Sequence, residues 1–185
     1  MKSFIVHAAF AALCALSLSG CINSSDPILA DAQAVFGPRL RLQLFTLREG
    51  YAREPERVNY KWNGALYAYA GGGMRDVKGF SVHPFEAGDY IIQETPVRRG
   101  GSIEYAILHK LAEGLYQVIA IDEADADKPT RVAHCSKGTG TASSPCLVKT
   151  KDQLFAFARA TAARKRSDGG LVIRLPDEPE RPNRR

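Results

Sequence analysis

The chain lacks a C-x-x-C pair, a G-x-S-x-G elbow, a G-x-x-x-x-G-K-S/T loop and an H-x-x-x-H pair. With them go the local signatures of a thiol redox centre or zinc knuckle, a nucleophilic serine, a phosphate loop and a helical zinc pair. No catalytic residue, metal or cofactor is therefore expected, and an enzyme ranks below a binding protein. Charge of one sign is scarce too: Lys and Arg number 25 against 20 Asp and Glu. So small an excess argues against nucleic acid as a partner. No apolar run is long enough for a permanent membrane span. The run Phe4 to Leu16, behind the single basic residue Lys2, has instead the form of a signal-peptide core.

That run ends in Leu18-Ser19-Gly20-Cys21. These four residues resemble the lipobox of bacterial lipoproteins, in which small residues precede a cysteine that receives diacylglyceryl before the signal is cut away. The resemblance covers only the first 21 residues. It implies a signal peptide over 1–20, lipidation of Cys21 and a membrane partner held through that lipid. Proteins of this kind carry three acyl chains, far more than the marginal hold of one. Residue 22 is Ile rather than Asp, which by the same resemblance points to the outer membrane, facing the periplasm. The mature chain has 165 residues (185 minus 20) and 24 basic groups (25 minus Lys2) against 20 acidic ones. That length suits one domain with a real core.

Cys14 leaves with the signal and Cys21 is acylated, so Cys135 and Cys146 remain as the two thiols of an oxidising compartment. A disulfide between them is expected. The rival is a zinc site of His134, Cys135 and Cys146, which supplies only three ligands.

Patterning divides the mature chain into a lipidated tether over 21–39, a β-rich domain over 40–175 and a disordered tail over 176–185. Ser24-Ser25-Asp26-Pro27 reads as flexible spacer and 30–36 as a short helical turn. Leu40, Leu42 and Leu44 alternate with polar residues at strand period. Asn63-Gly64, between aromatic runs, predicts a two-residue type I′ turn pairing Trp62 with Ala65 and Tyr60 with Tyr67. Strands follow at Phe80–Val82 and Tyr90–Gln93. A long hairpin spans 103–121 around Glu113-Gly114, with an irregularity before Leu111. One helix is predicted over Lys151 to about Lys165, with Thr150 and Gln153 as its capping box. Leu154, Phe157, Ala158, Thr161 and Ala162 share its apolar face. A last strand spans 171–175. The fold expected is mainly β, a small sandwich or partly open barrel of six to eight strands with one C-terminal helix across it. The run Gly88-Asp89-Tyr90-Ile91-Ile92-Gln93, followed by Tyr105-Ala106-Ile107-Leu108, resembles uncharacterised envelope lipoproteins of Gram-negative bacteria, a family with no role to transfer.

Candidate sites are few. The acids Asp122, Glu123, Asp125 and Asp127 lack the rest of a calcium loop and read as a solvated loop after a strand. His83, His109 and His134 have no acid or nucleophile at local spacing. Tyr60, Trp62, Tyr67 and Tyr69 can share one strand face, either as a binding surface or as packing, with packing favoured. The leading expectation is a non-catalytic protein presenting a surface to another envelope component. The second is a small-ligand binder using a barrel mouth. An enzyme is third.

Overall fold

The computed structural model describes residues 22–48, 51–52, 55–70, 77–96, 101–137, 146–164 and 170–176. The expected signal peptide, Cys21 and the tail beyond 176 lie outside them.

The strands are β1 (Asn23–Ser24), β2 (Arg39–Arg48), β3 (Tyr51–Ala52), β4 (Glu56–Trp62), β5 (Tyr67–Tyr69), β6 (Val77–Pro84), β7 (Tyr90–Pro96), β8 (Ile103–Ala112), β9 (Leu115–Ala120), β10 (Ser136–Lys137), β11 (Cys146–Leu147) and β12 (Gly170–Leu175). Helices α1 (Lys128–His134) and α2 (Lys151–Ala163) lie between β9 and β12. Seven strands, β2 and β4 to β9, follow one another as an antiparallel meander. Strand β12 returns to pair with both β9 and β2, and β8 pairs with β9, so the eight strands close into a barrel. Closure leaves the barrel itself no free edge. A short annex, β10-β11-β1, extends from β8.

Two apolar clusters, one on each side of the wall, hold the fold. Leu40, Leu42, Leu44, Val58, Tyr60, Tyr67, Phe80, Val82, Ile92, Leu108, Tyr116 and Val172 fill the interior. Ile91, Tyr105, Ile107 and Ile119 face outward and pack against Leu154, Phe157 and Ala158 of α2. Adjacent apolar residues such as Ile91-Ile92 and Ile107-Leu108 therefore point to opposite sides of one strand, and each full burial contributes about 1.5–3 kcal/mol. Helix α2 starts as expected: Thr150 Oγ1 accepts from the Gln153 N–H and Gln153 Oε1 accepts from the Thr150 N–H. Its buried side is Leu154, Phe157, Ala158 and Thr161.

Three local expectations change. The Asn63-Gly64 hairpin pairs Trp62 with Tyr67 and Tyr60 with Tyr69, two residues away from the expected register. A type I′ turn needs two positive φ angles, and here only Gly64 has one, at 97°. Asn63 Oδ1 instead accepts from the N–H groups of Ala65 and Leu66, which builds a four-residue loop. The shift is even, so the faces are kept. Second, residues 22–38 are no free spacer. Ile22, Leu29 and Phe36 are buried, β1 is paired on both sides, and the short helical turn expected over 30–36 is reduced to one hydrogen-bonded turn in which the Gly37 N–H donates to the Ala34 carbonyl at 2.9 Å. Third, the acid run is structural. Asp122 accepts from the Ala124 N–H in a 3-10 turn, and Asp127 Oδ1 caps α1 through the Thr130 N–H. Asp125 is buried, with Arg164 Nη1 3.7 Å from Oδ1. Helix α1 is a further element, signalled in the sequence by Asp127 before Lys128-Pro129, an N-cap followed by proline in the first turn.

Candidate functional site

The barrel has two unlike ends. At one, the chain over 33–38 crosses the interior and Phe36 stacks edge-on against Tyr90 and Tyr116, with centroids 5.9 and 5.5 Å away. Tyr67 Oη accepts from the Phe36 N–H at 2.9 Å and donates to the Gly37 carbonyl at 3.0 Å. This end is plugged. Beside it Gly79 lets β6 approach β5, since a Cβ there would run into the Tyr67 carbonyl and the Leu66 side chain. The expected aromatic group belongs to the same interior. Tyr60 and Tyr67 are buried, Trp62 and Tyr69 pack on them half-buried, and Trp62 and Tyr67 stand 5.1 Å apart. The four do share one face, and that face is core.

The opposite end is lined differently. Strand alternation turns Glu94 inward with Ile92, opposite Phe80, and turns Glu104 inward with Ala106 and Leu108. Among the described residues no donor meets the Glu94 carboxyl. Burial, and secondly the Glu104 charge, push its pKa up to about 8, so at neutral pH it is mostly the protonated acid. Ala106, Ala120 and Gly170 also face inward here and contribute at most a methyl group. Both alanines are partly exposed, although the outer face of β8 and β9 is covered by α2. Neither Glu94 nor Glu104 stood out in the sequence. The alternation of Ile92 and Glu94 was a legible signal, but β7 is apolar on both faces, so inward and outward could not be told apart.

No family model, curated protein or solved structure matches this chain.

His83 and His109 have partners that spacing did not reveal. His83 is buried, its Nδ1 donating to the Ala30 carbonyl at 3.0 Å and its Nε2 accepting from Ser81 Oγ at 2.8 Å. Gln93 donates to Ser81 Oγ and accepts from the Leu29 N–H. Burial lowers the His83 pKa. The Ser81-His83 contact has the form of a nucleophile and base, but it lies beneath residues 28–31 and is used up in holding them. His109 Nδ1 lies 2.8 Å from Asp89 Oδ2, and Asp89 Oδ1 also accepts from the Lys110 N–H. Cys135 and Cys146 stand at disulfide distance, with Cα atoms 5.3 Å apart. The third group near the two sulfurs is Glu123, not His134. Cys21 lies outside the described residues.

Proposed function

We propose that this chain is a lipid-anchored, non-catalytic protein of the bacterial envelope, held through Cys21 on the outer membrane and facing the periplasm, whose barrel takes a small ligand at the end lined by Glu94 and Glu104. The anchor rests on Leu18-Ser19-Gly20-Cys21. The ligand rests on one observation, an inward-facing Glu94 carboxyl in an eight-stranded barrel that meets no donor among the described residues and whose pKa burial raises to about 8. Barrels of this size have interiors that side chains fill or that hold one small molecule, and here two carboxyls, Glu94 and Glu104, take inward positions beside Phe80, Ile92 and Leu108. Two inward carboxyls select a ligand with an ammonium group on a short apolar body, because such a cation can accept the charge that burial otherwise suppresses. A protein-docking surface has less support: among the described residues Leu111, 47% exposed, is the one exposed large apolar side chain. Cys135 and Cys146 are oxidised to each other in this setting.

Calorimetric titration of the mature lipidated protein with n-butylammonium and with butyrate tests the ligand. The ammonium should bind, more tightly as the pH rises through 8, and Glu94→Gln with Glu104→Gln should weaken it at least about tenfold. Equal binding of the two ions, or none of either, would sink this reading. The anchor is tested separately: Cys21→Ser should leave an uncleaved precursor without lipid. Mass spectrometry of the mature amino end overturns the lipoprotein reading if another residue comes first.

A further inference from the structure

Residue 22 belongs to the core. The Ile22 side chain has 0% exposure and sits among Ile103, Tyr105, Ile121, Val148 and Phe157. Its N–H donates to the Ile121 carbonyl at 3.1 Å, and the Asn23 carbonyl accepts from the Val148 N–H at 2.9 Å. Asn23 pairs with Glu104 on one side and Leu147 on the other, while Ser24 Oγ lies 2.7 Å from Tyr105 Oη. The chain stays fixed onward through Leu29, Ala30, Gln33 and Phe36, bonded in turn to Gln93, His83, Val82 and Tyr67. Consecutive Cα atoms are about 3.8 Å apart, so the backbone of Cys21 starts one bond length from this core. A free segment over 22–37 would instead have let the domain wander by about 20 Å.

From this we infer that the lipid on Cys21 is joined to the folded core without a spacer, so that the barrel is held directly against the bilayer in one orientation. The side toward the lipid surface is the one around Ile22: the 3-10 turn Glu123–Asp125, α1 and the Cys135–Cys146 pair. Ile22 is hydrogen-bonded to Ile121 just past the end of β9, Asn23 pairs with Leu147 beside Cys146, and Cys146 stands at disulfide distance from Cys135 at the end of α1. Across the barrel from the β8–β9 seam stand β4 and β5, so their hairpin, with Trp62, points away from the membrane. The inference rests on Cys21 being the lipid acceptor.

Trp62 is the one tryptophan of the chain and reports on the far side. The full lipidated protein is placed in phosphatidylethanolamine and phosphatidylglycerol vesicles carrying a headgroup nitroxide, and quenching of Trp62 is compared with that in Trp62→Phe/Ala133→Trp. Ala133 is exposed on α1, so the new ring need not disturb packing. Quenching should be several-fold stronger at position 133, and a flexible Gly-Ser insert between Cys21 and Ile22 should bring the two toward equality. Equal quenching in the lipidated protein without the insert would overturn direct attachment while leaving the anchor intact. Mass spectrometry showing no lipid on Cys21, with no vesicle binding, would remove the anchor and this inference together.

Discussion

The Tyr67 hydroxyl holds Phe36 across one end of the barrel, accepting its N–H at 2.9 Å while donating to the next carbonyl, that of Gly37, at 3.0 Å. Tyr67→Phe keeps the ring and removes both bonds, leaving a buried donor and acceptor unmatched. Stability should fall by about 1–3 kcal/mol. Urea unfolding checks this, and an unchanged midpoint would mean that the plug is held by packing alone.

His83 has a folded pKa below its ordinary value of 6.5 because it is buried. The unfolded chain then binds the proton first, so the His83 contribution to stability is complete above about pH 6.5 and shrinks as the pH falls below it. His83→Gln should be less stable at pH 7 by about 1–3 kcal/mol and should show a smaller loss between pH 7 and 5. Parallel slopes in urea unfolding would contradict that assignment.

Glu94 has the opposite sign. Its folded pKa of about 8 lies above the ordinary 4.5, so the folded state binds the proton more tightly and loses stability as the pH rises from 4.5 to 8. Glu94→Gln should match wild type near pH 4 and exceed it above pH 8, by an amount on the order of a few kcal/mol. The two windows overlap and partly cancel in wild type, which is why the variants carry the test. A carboxyl carbon resonance titrating near pH 4.5 would refute the enclosed acid.

Reduction of Cys135 and Cys146, eleven residues apart, should lower stability by about 3 kcal/mol. Thiol labelling of the unreduced mature protein should find neither cysteine. Stoichiometric labelling of both would reopen metal binding with Glu123 as third ligand.

What was legible beforehand was local. The helix from Lys151 was readable because Thr150 and Gln153 satisfy its first N–H groups within one turn. The hairpin around Glu113-Gly114, with the irregularity now found between Lys110 and Ala112, was readable because its strands are adjacent in the chain. The Asn63-Gly64 turn was placed correctly but mis-registered, since the Asn63 side chain competes with the backbone for the same N–H groups. The partners of His83 and His109 are not legible in the sequence because Ser81, Ala30 and Asp89 reach them through strand alternation, a docked segment and the turn before a neighbouring strand.

By itself the sequence determined what depends on neighbours along the chain: the capped helix and the alternation of Leu40, Leu42 and Leu44. Only the tertiary structure decided that the sheet closes, because β12 must find β2 across more than a hundred residues and nothing local encodes that pairing. Closure in turn gave the strands an inside and an outside. Since β7 and β8 are apolar on both faces, only that step could set Glu94 and Glu104 within the barrel and leave Ile22 on the wall outside it, beneath α2.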